Sequence, residues 1–185
     1  MRPVIGLDRD GTINVDKGYI NKYQDFEFID GSLDAIKIMR EKGYDVVILT
    51  NQAGISTGEQ TIEGVDEVHG YMLTVMGEHG IESINGLLFA TSNSKEDMYA
   101  KPNPGMFNKA EQEFGVDFSN GFYVGDKITD LKVAQKKKAK PVLVKTGYGE
   151  ETIEKLESYA NKDLKKKTLI FDNLLTFAQS LDSMR

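Results

Sequence analysis

Short apolar runs alternate with longer stretches of helical periodicity along this 185-residue chain, and that alternation limits its fold more than any other feature. The runs are Val4–Leu7, Val46–Leu49, Leu87–Ala90, Phe122–Val124, Val142–Val144 and Leu169–Phe171. Each is too short for a helix and suits a strand buried on both faces. Helical patterns lie between them at Ser32–Lys42, Ile62–His79, Pro104–Phe114, Ile128–Lys137, Glu150–Ala160 and Leu174–Leu181. Gly43 is a stop after the first, and Pro104 suits the first turn of the third. Strand–helix alternation predicts an α/β fold of three layers, a Rossmann-like parallel sheet with helices on both faces and right-handed crossovers. No repeat, linker or shift of composition divides the chain, so residues 1–185 are expected to form a single domain without a large inserted cap. The stretch Thr12–Asp30 lacks a clear element but carries Tyr19, Tyr23 and Phe26, which predicts an ordered loop.

In such sheets ligands bind beyond the carboxyl ends of the strands. Those ends are polar here: Asp8-Arg9-Asp10-Gly11-Thr12, then Thr50-Asn51-Gln52, then a loop reaching Lys101-Pro102, then Gly125-Asp126. Asp8 and Asp10 should repel, by roughly 1 kcal/mol in water at about 4 Å and several at an effective dielectric near 20. A divalent cation reverses that balance, and Mg2+ commonly takes only one or two carboxylates from a protein. Asp130 follows Asp126 by one helical turn. Each residue alone has an ordinary explanation as a cap, turn or solvated side chain. Their succession at strand ends argues for a site.

The composition narrows the function classes. The formal net charge of −6 gives no basic footprint for nucleic acid. The absence of cysteine excludes disulfides, thiolate chemistry and cysteine zinc sites. No segment approaches the roughly 20 apolar residues that span a bilayer. There is no GxxxxGK[ST] loop, which argues against a nucleotide triphosphatase. His69 and His79 lie in the long helix, away from the motifs, and are read as structural or surface residues. Lys136–Lys138 and Lys165–Lys167 are read as solvated helix ends or loops.

LDRDGT, ILTNQ, KPNPGMF and YVGDKITD, in this order, resemble the four motifs of the haloacid dehalogenase (HAD) superfamily of phosphohydrolases. DRDGTINVDKGYI, FEFIDG and TNQAGI are similar to the subgroup containing heptose 1,7-bisphosphate phosphatases and histidinol-phosphate phosphatase domains. The resemblance implies Asp8 as nucleophile, forming an aspartyl-phosphate, and Asp10 as general acid and then base. It implies Mg2+ between Asp8, the backbone carbonyl of Asp10, and Asp126. Thr50, Asn51, Gln52 and Lys101 would bind substrate, with Lys101 supplying positive charge to the transferring phosphoryl group. Asp130 would orient Lys101 or support the metal. Lys127 and the Asp16–Tyr19 loop would be further, weaker candidates for substrate contact. The expectation is a cytoplasmic monomer acting on a small phosphorylated metabolite, with neither membrane nor nucleic-acid partner.

The chain also departs from that subgroup. FATSNSKEDMYAKPNP holds no Cys or His where relatives carry a zinc loop, so no zinc is expected. Ala100 stands where an Arg commonly precedes the motif lysine, and Ser56-Thr57 replaces another Arg. Losing two fork-shaped anion binders should weaken recognition of a second phosphate. Histidinol phosphate, a nucleotide or a polynucleotide 3′-phosphate are alternative substrates. A phospho-accepting signalling domain and an inactive HAD-like binding protein are alternatives of another class. The second Asp of DxD argues against the former, and intact Asp8, Asp10, Lys101 and Asp126 against the latter.

Overall fold

The computed structural model describes residues 2–184. Its strands are β1 Val4–Leu7, β2 Asp45–Asn51, β3 Gly86–Ala90, β4 Phe122–Gly125, β5 Lys140–Val144 and β6 Leu169–Phe171. All pair in parallel, in the order β3-β2-β1-β4-β5-β6. This is the doubly wound order, in which the chain reverses its direction of travel between β1 and β4. Every expected strand is present, several extended by one to three residues at their ends. β1 and β4 are buried along their whole length, whereas β6, at one edge, is only half-buried.

The helices are α1 Ser32–Glu41, α2 Gly54–Thr57, α3 Ile62–Glu78, α4 Gly105–Phe114, α5 Ile128–Lys136, α6 Gly149–Leu156, α7 Lys162–Lys167 and α8 Leu174–Ser180. Alternate strand residues sort them into two layers. Ile5, Leu7, Val46, Ile48, Phe122 and Val124 face Ile36 and Met39 of α1, Val68 and Met72 of α3, and Phe177 of α8. Val4, Val47, Leu49 and Tyr123 face Met106, Phe107 and Ala110 of α4, and Val133 and Ala134 of α5. Leu131, Leu143, Leu156 and Leu164 join α5, α6 and α7 on strand β5.

The helix expected over Glu150–Ala160 ends instead at Leu156. A 3-10 turn at Tyr159–Asn161 follows, and then α7. Tyr159 is exposed, so nothing holds a continued helix there. The next residue buried is Leu164, and it seats the new helix. The Lys165–Lys167 run forms the last turn of α7, where cations complement the helix dipole. The loop Thr12–Asp30 is ordered as expected. Ile13, Ile20 and Phe26 are buried, and bridges join Asn14 to Asp10 and to Phe28. No helix among the described residues is long and apolar enough to cross a membrane.

Phe177 is fully buried, with ring centroids of Phe122 and Phe171 at 5.4 and 5.5 Å. Phe177→Ala should cost about 3–5 kcal/mol through lost transfer energy and the cavity left behind. Urea unfolding should show the midpoint fall with an unchanged slope. A loss below about 1 kcal/mol would mean that α8 does not share the cooperative core.

Candidate active site

Leu7 pairs with Val124 across the β1–β4 junction, so Asp8 and Asp126 leave the same edge of the sheet side by side. The amide of Asp8 still donates to the Val124 carbonyl at 2.9 Å. Lys101 reaches this edge from the loop before α4 and is almost fully buried. Its ammonium lies 2.8 Å from Asp8 Oδ1 and 2.7 Å from Asp130 Oδ1. It also donates to the Tyr123 hydroxyl at 3.0 Å, which donates in turn to the Leu49 carbonyl at 2.6 Å. Burial alone would favour a neutral amine, but Asp130 and Asp8 outweigh it and hold Lys101 charged, well above the usual lysine range. Asn51 fixes the backbone here: its amide nitrogen donates to the Lys101 carbonyl and its amide oxygen accepts from Lys101 N–H.

Asp130 does two things at once. Its second carboxylate oxygen accepts from Lys127 N–H at 3.0 Å and caps the first turn of α5. With one oxygen on the ammonium and the other on the cap, Asp130 is placed to orient Lys101. The residue preceding that helix is therefore Lys127, while Asp126 follows the strand and stays free of capping duty.

Asp8 and Asp10 do not confront each other as bare charges. Arg9, between them, is fully buried, and its guanidinium lies 2.9 Å from both oxygens of Asp10. Asn14 and Gln52 also donate to Asp10, at 3.0 and 2.8 Å. Burial pushes the Asp10 carboxyl up, but Arg9 and these hydrogen bonds prevail and hold it below the usual range. His69 Nε2 lies 2.9 Å from Arg9, which corrects the expectation that it sits away from the motifs. Burial and the adjacent guanidinium pull His69 down to about 3, so it is neutral and can accept from Arg9. His79 is at the surface, beside Asp34.

Asp126 is fully buried and differently served. One carboxylate oxygen accepts from Tyr148 N–H at 2.8 Å, and the other has no hydrogen-bond partner. Gly11 and Gly147 pack against the first oxygen with positive φ; a Cβ on either would fall 2.1 or 2.2 Å from it. Burial raises Asp126 to about 8, and the nearby Asp8 and Asp130 add to the effect against Lys127. An orphaned buried carboxylate oxygen is costly. Ligand atoms of Asp8, Asp126 and Asp130 lie within 4.8 Å of one another. This is a hard, all-oxygen donor set of the kind Mg2+ takes. The Asp10 carboxylate is turned to Arg9, so only the backbone of that residue is left to serve a cation.

A cleft of about 300 Å3 opens over this edge, lined by Asp8, Asp10, Thr50, Asn51, Lys101 and Lys127 among others. These expected site residues share it. Gln52 does not line it: its amide bonds Thr50, Asp10 and Arg9 from below, so it supports the site and lacks access to a substrate there. Lys127 pairs with Asp16 at 3.0 Å, which ties the Asp16 loop to the rim. Arg9, Asn14, Tyr123, Asn93, Lys95 and Thr129 were not anticipated. Only Arg9 carried a signal, a charged residue inside an otherwise buried strand end.

With divalent ions chelated, Asp126 binds its proton more tightly folded than its ordinary value of 3.8 allows. The folded state then holds the extra proton between about pH 4 and about pH 8, so stability should fall as pH rises through that window. Asp126→Asn should flatten this dependence and melt higher than the parent chain at pH 8 in chelator. Mg2+ should raise the melting temperature of the parent but not of the variant. Equal stabilisation of both by Mg2+ would remove Asp126 from the cation site.

The family model described as polynucleotide kinase 3 phosphatase matches residues 3–172. A D-glycero-beta-D-manno-heptose-1,7-bisphosphate 7-phosphatase of Pseudomonas aeruginosa is 36% identical over 183 residues, covering 97% of this chain and 98% of that protein. The same-named protein of Neisseria meningitidis is 34% identical, covering 95% and 92%. The crystal structure of the D,D-heptose 1,7-bisphosphate phosphatase from B. bronchiseptica, complexed with magnesium and phosphate, superposes with a TM-score of 0.87 at 26% identity over the whole of both chains. Similarity that runs from end to end in sequence and in structure joins the fold and the charged sheet edge to one lineage: the chain belongs to the polynucleotide kinase 3 phosphatase family and is a phosphoric monoester hydrolase of HAD-like fold.

Proposed function

We propose that this phosphatase removes a phosphoryl group from a phosphorylated sugar, with D-glycero-D-manno-heptose 1,7-bisphosphate the foremost substrate, and depends on Mg2+. The observation that carries the reading is the buried ammonium of Lys101, paired with Asp8 beside the unpartnered oxygen of Asp126. It supports a site built to bring an anionic phosphoryl group against an anionic nucleophile. The names of the relatives at 34–36% identity support the sugar.

Asp8 attacks phosphorus, the bond to the leaving oxygen breaks, and the phosphoryl group becomes an acyl phosphate on Asp8. Asp8, Asp126 and the Asp10 backbone would hold Mg2+, which neutralises charge between nucleophile and substrate. Lys101 offsets negative charge on the transferring oxygens, with Thr50 and Asn51 positioning them. Asp10 gives the leaving oxygen its proton, then takes one from the water that cleaves the acyl phosphate. At rest the Arg9 guanidinium holds Asp10 ionised. The second duty therefore needs no preparation, whereas the first needs a proton that arrives with the substrate. A phosphomonoester near neutral pH can carry it, its second pKa being about 6.

Asp8→Asn should abolish phosphate release from heptose 1,7-bisphosphate and from p-nitrophenyl phosphate, with the fold retained by circular dichroism. Asp10→Asn should slow poor leaving groups most, by at least about 100-fold on the sugar and less on the aryl ester. EDTA should stop turnover and Mg2+ restore it. Full activity of Asp8→Asn, or turnover that survives thorough chelation, would defeat the mechanism. Release from histidinol phosphate, nucleotides or a 3′-phosphorylated oligonucleotide in preference to the sugar would reassign the substrate.

A further inference from the structure

Three lysines line the cleft, and two of them are already committed. Lys101 is held by Asp8, Asp130 and Tyr123. Lys127 pairs with Asp16 and lies 4.8 Å from the Tyr148 ring centroid. Lys95 is different. It lines the same cleft, is exposed, and has no carboxylate partner among the described residues.

The segment bearing Lys95 has no regular structure between β3 and α4, yet it is tied down residue by residue. The Asn103 side-chain amide donates to the carbonyls of Lys95 and Asp97, at 3.0 and 2.8 Å. Asn51 Nδ2 donates to Asn93 Oδ1 at 2.9 Å, which joins the segment to the end of β2. Tyr99 N–H donates to Asp97 Oδ1 at 2.9 Å, and Gly105 N–H donates to the Met98 carbonyl at 3.0 Å. A Cβ on Gly105 would fall 2.4 Å from that carbonyl oxygen, so the helix start and the loop pack backbone to backbone. Asn51 also holds the Lys101 backbone. One side chain thus sets both the buried cation at the floor of the cleft and the loop that carries the free cation at its rim.

Deepening the reading just given, and resting on it, we propose that Lys95 is a specificity-determining residue: its ammonium binds a second anionic group of the substrate, so that the site favours a sugar bisphosphate over the monophosphate with the same scissile phosphate. A phosphoryl group at the floor takes up Lys101. A second phosphate needs its own cation, and an ammonium already paired with a carboxylate offers less than a free one. Lys95 is that free charge, and Asn103 is the positioning residue that limits what its loop loses in entropy on binding.

The test compares kcat/KM for heptose 1,7-bisphosphate with that for heptose 7-phosphate in the full-length protein with Mg2+. The parent chain should favour the bisphosphate. Lys95→Gln should lower the ratio about tenfold through KM for the bisphosphate, as loss of one charge-assisted contact predicts. Lys95→Glu should lower it further, and Lys95→Arg should keep most of it. Raising ionic strength should shrink the ratio in the parent and much less in Lys95→Gln. An unchanged ratio in Lys95→Gln, or a parent ratio near one, overturns the proposal while the phosphatase reading stands. A parent chain that releases phosphate from neither sugar overturns both.

Discussion

The buried ammonium of Lys101 is the interaction on which the site depends. Asp8, Asp126 and Asp130 converge from β1, β4 and α5 onto one edge, all buried. Unit charges about 4 Å apart interact by about 4 kcal/mol at an effective dielectric near 20, so three such carboxylates would oppose the packing that gathers them. Lys101 sits between two of them, at 2.8 and 2.7 Å. It is kept there by two hydrogen bonds between Asn51 and its backbone, one donated in each direction, and by a tyrosine hydroxyl spanning to Leu49. These groups come from β1, β2, β4, α5 and the loop before α4. The charge balance therefore requires the sheet order as much as the sheet order supports the charges.

That order explains why the groups gathered at this edge can be far apart in the chain. β1 and β4 are neighbours only because the sheet grows outward on both sides from β1. A crevice at the reversal is left where no crossover covers the strand ends, and the motif residues emerge into it. The two glycines that close on Asp126, Gly11 after β1 and Gly147 after β5, come from strands on either side of β4. Both have positive φ, and neither leaves room for a side chain beside the carboxylate. The packing fixes the oxygen that accepts from Tyr148 N–H and leaves the other without a hydrogen-bond partner.

The strands and the carboxylates at the sheet edge were legible in the sequence because each rests on a short-range signal. β-branched runs bounded by polar residues mark strands, and a carboxylate just after such a run has one place to go. The parts not legible are those decided by tertiary contact. Tyr123 reads as an apolar strand residue, and only the fold shows its hydroxyl against Lys101. His69 follows helical spacing as a core residue would, and its tie to Arg9 comes from packing α3 onto the β1 end. Gln52 belongs to a motif that points to substrate, yet β2 ends so that the side chain falls beneath Asp10. Lys95 lies in a polar stretch without periodicity, where spacing says nothing about direction. The break after Leu156 was invisible because the amphipathic pattern continues in composition while the buried positions do not.

Asp8 and Asp10 are two residues apart and chemically unlike, and the residue between them makes the difference. Arg9 takes up Asp10 completely, with Asn14 and Gln52 completing its shell, so that carboxylate neither repels Asp8 strongly nor demands a metal. Asp8 is balanced by Lys101. The deficit of positive charge falls on Asp126, whose free oxygen is buried and whose proton is held up to about pH 8. On the proposed Mg2+ dependence, the demand for a divalent cation comes from Asp126, just after β4, and not from mutual repulsion within the DxD pair. Asp8 would join it there, because β1 lies alongside β4. The same arrangement separates two kinds of proton chemistry. On the proposed mechanism, Asp126 would give up a proton when a cation binds, and Asp10, held ionised by a guanidinium that the chain cannot neutralise, would exchange protons with substrate and water.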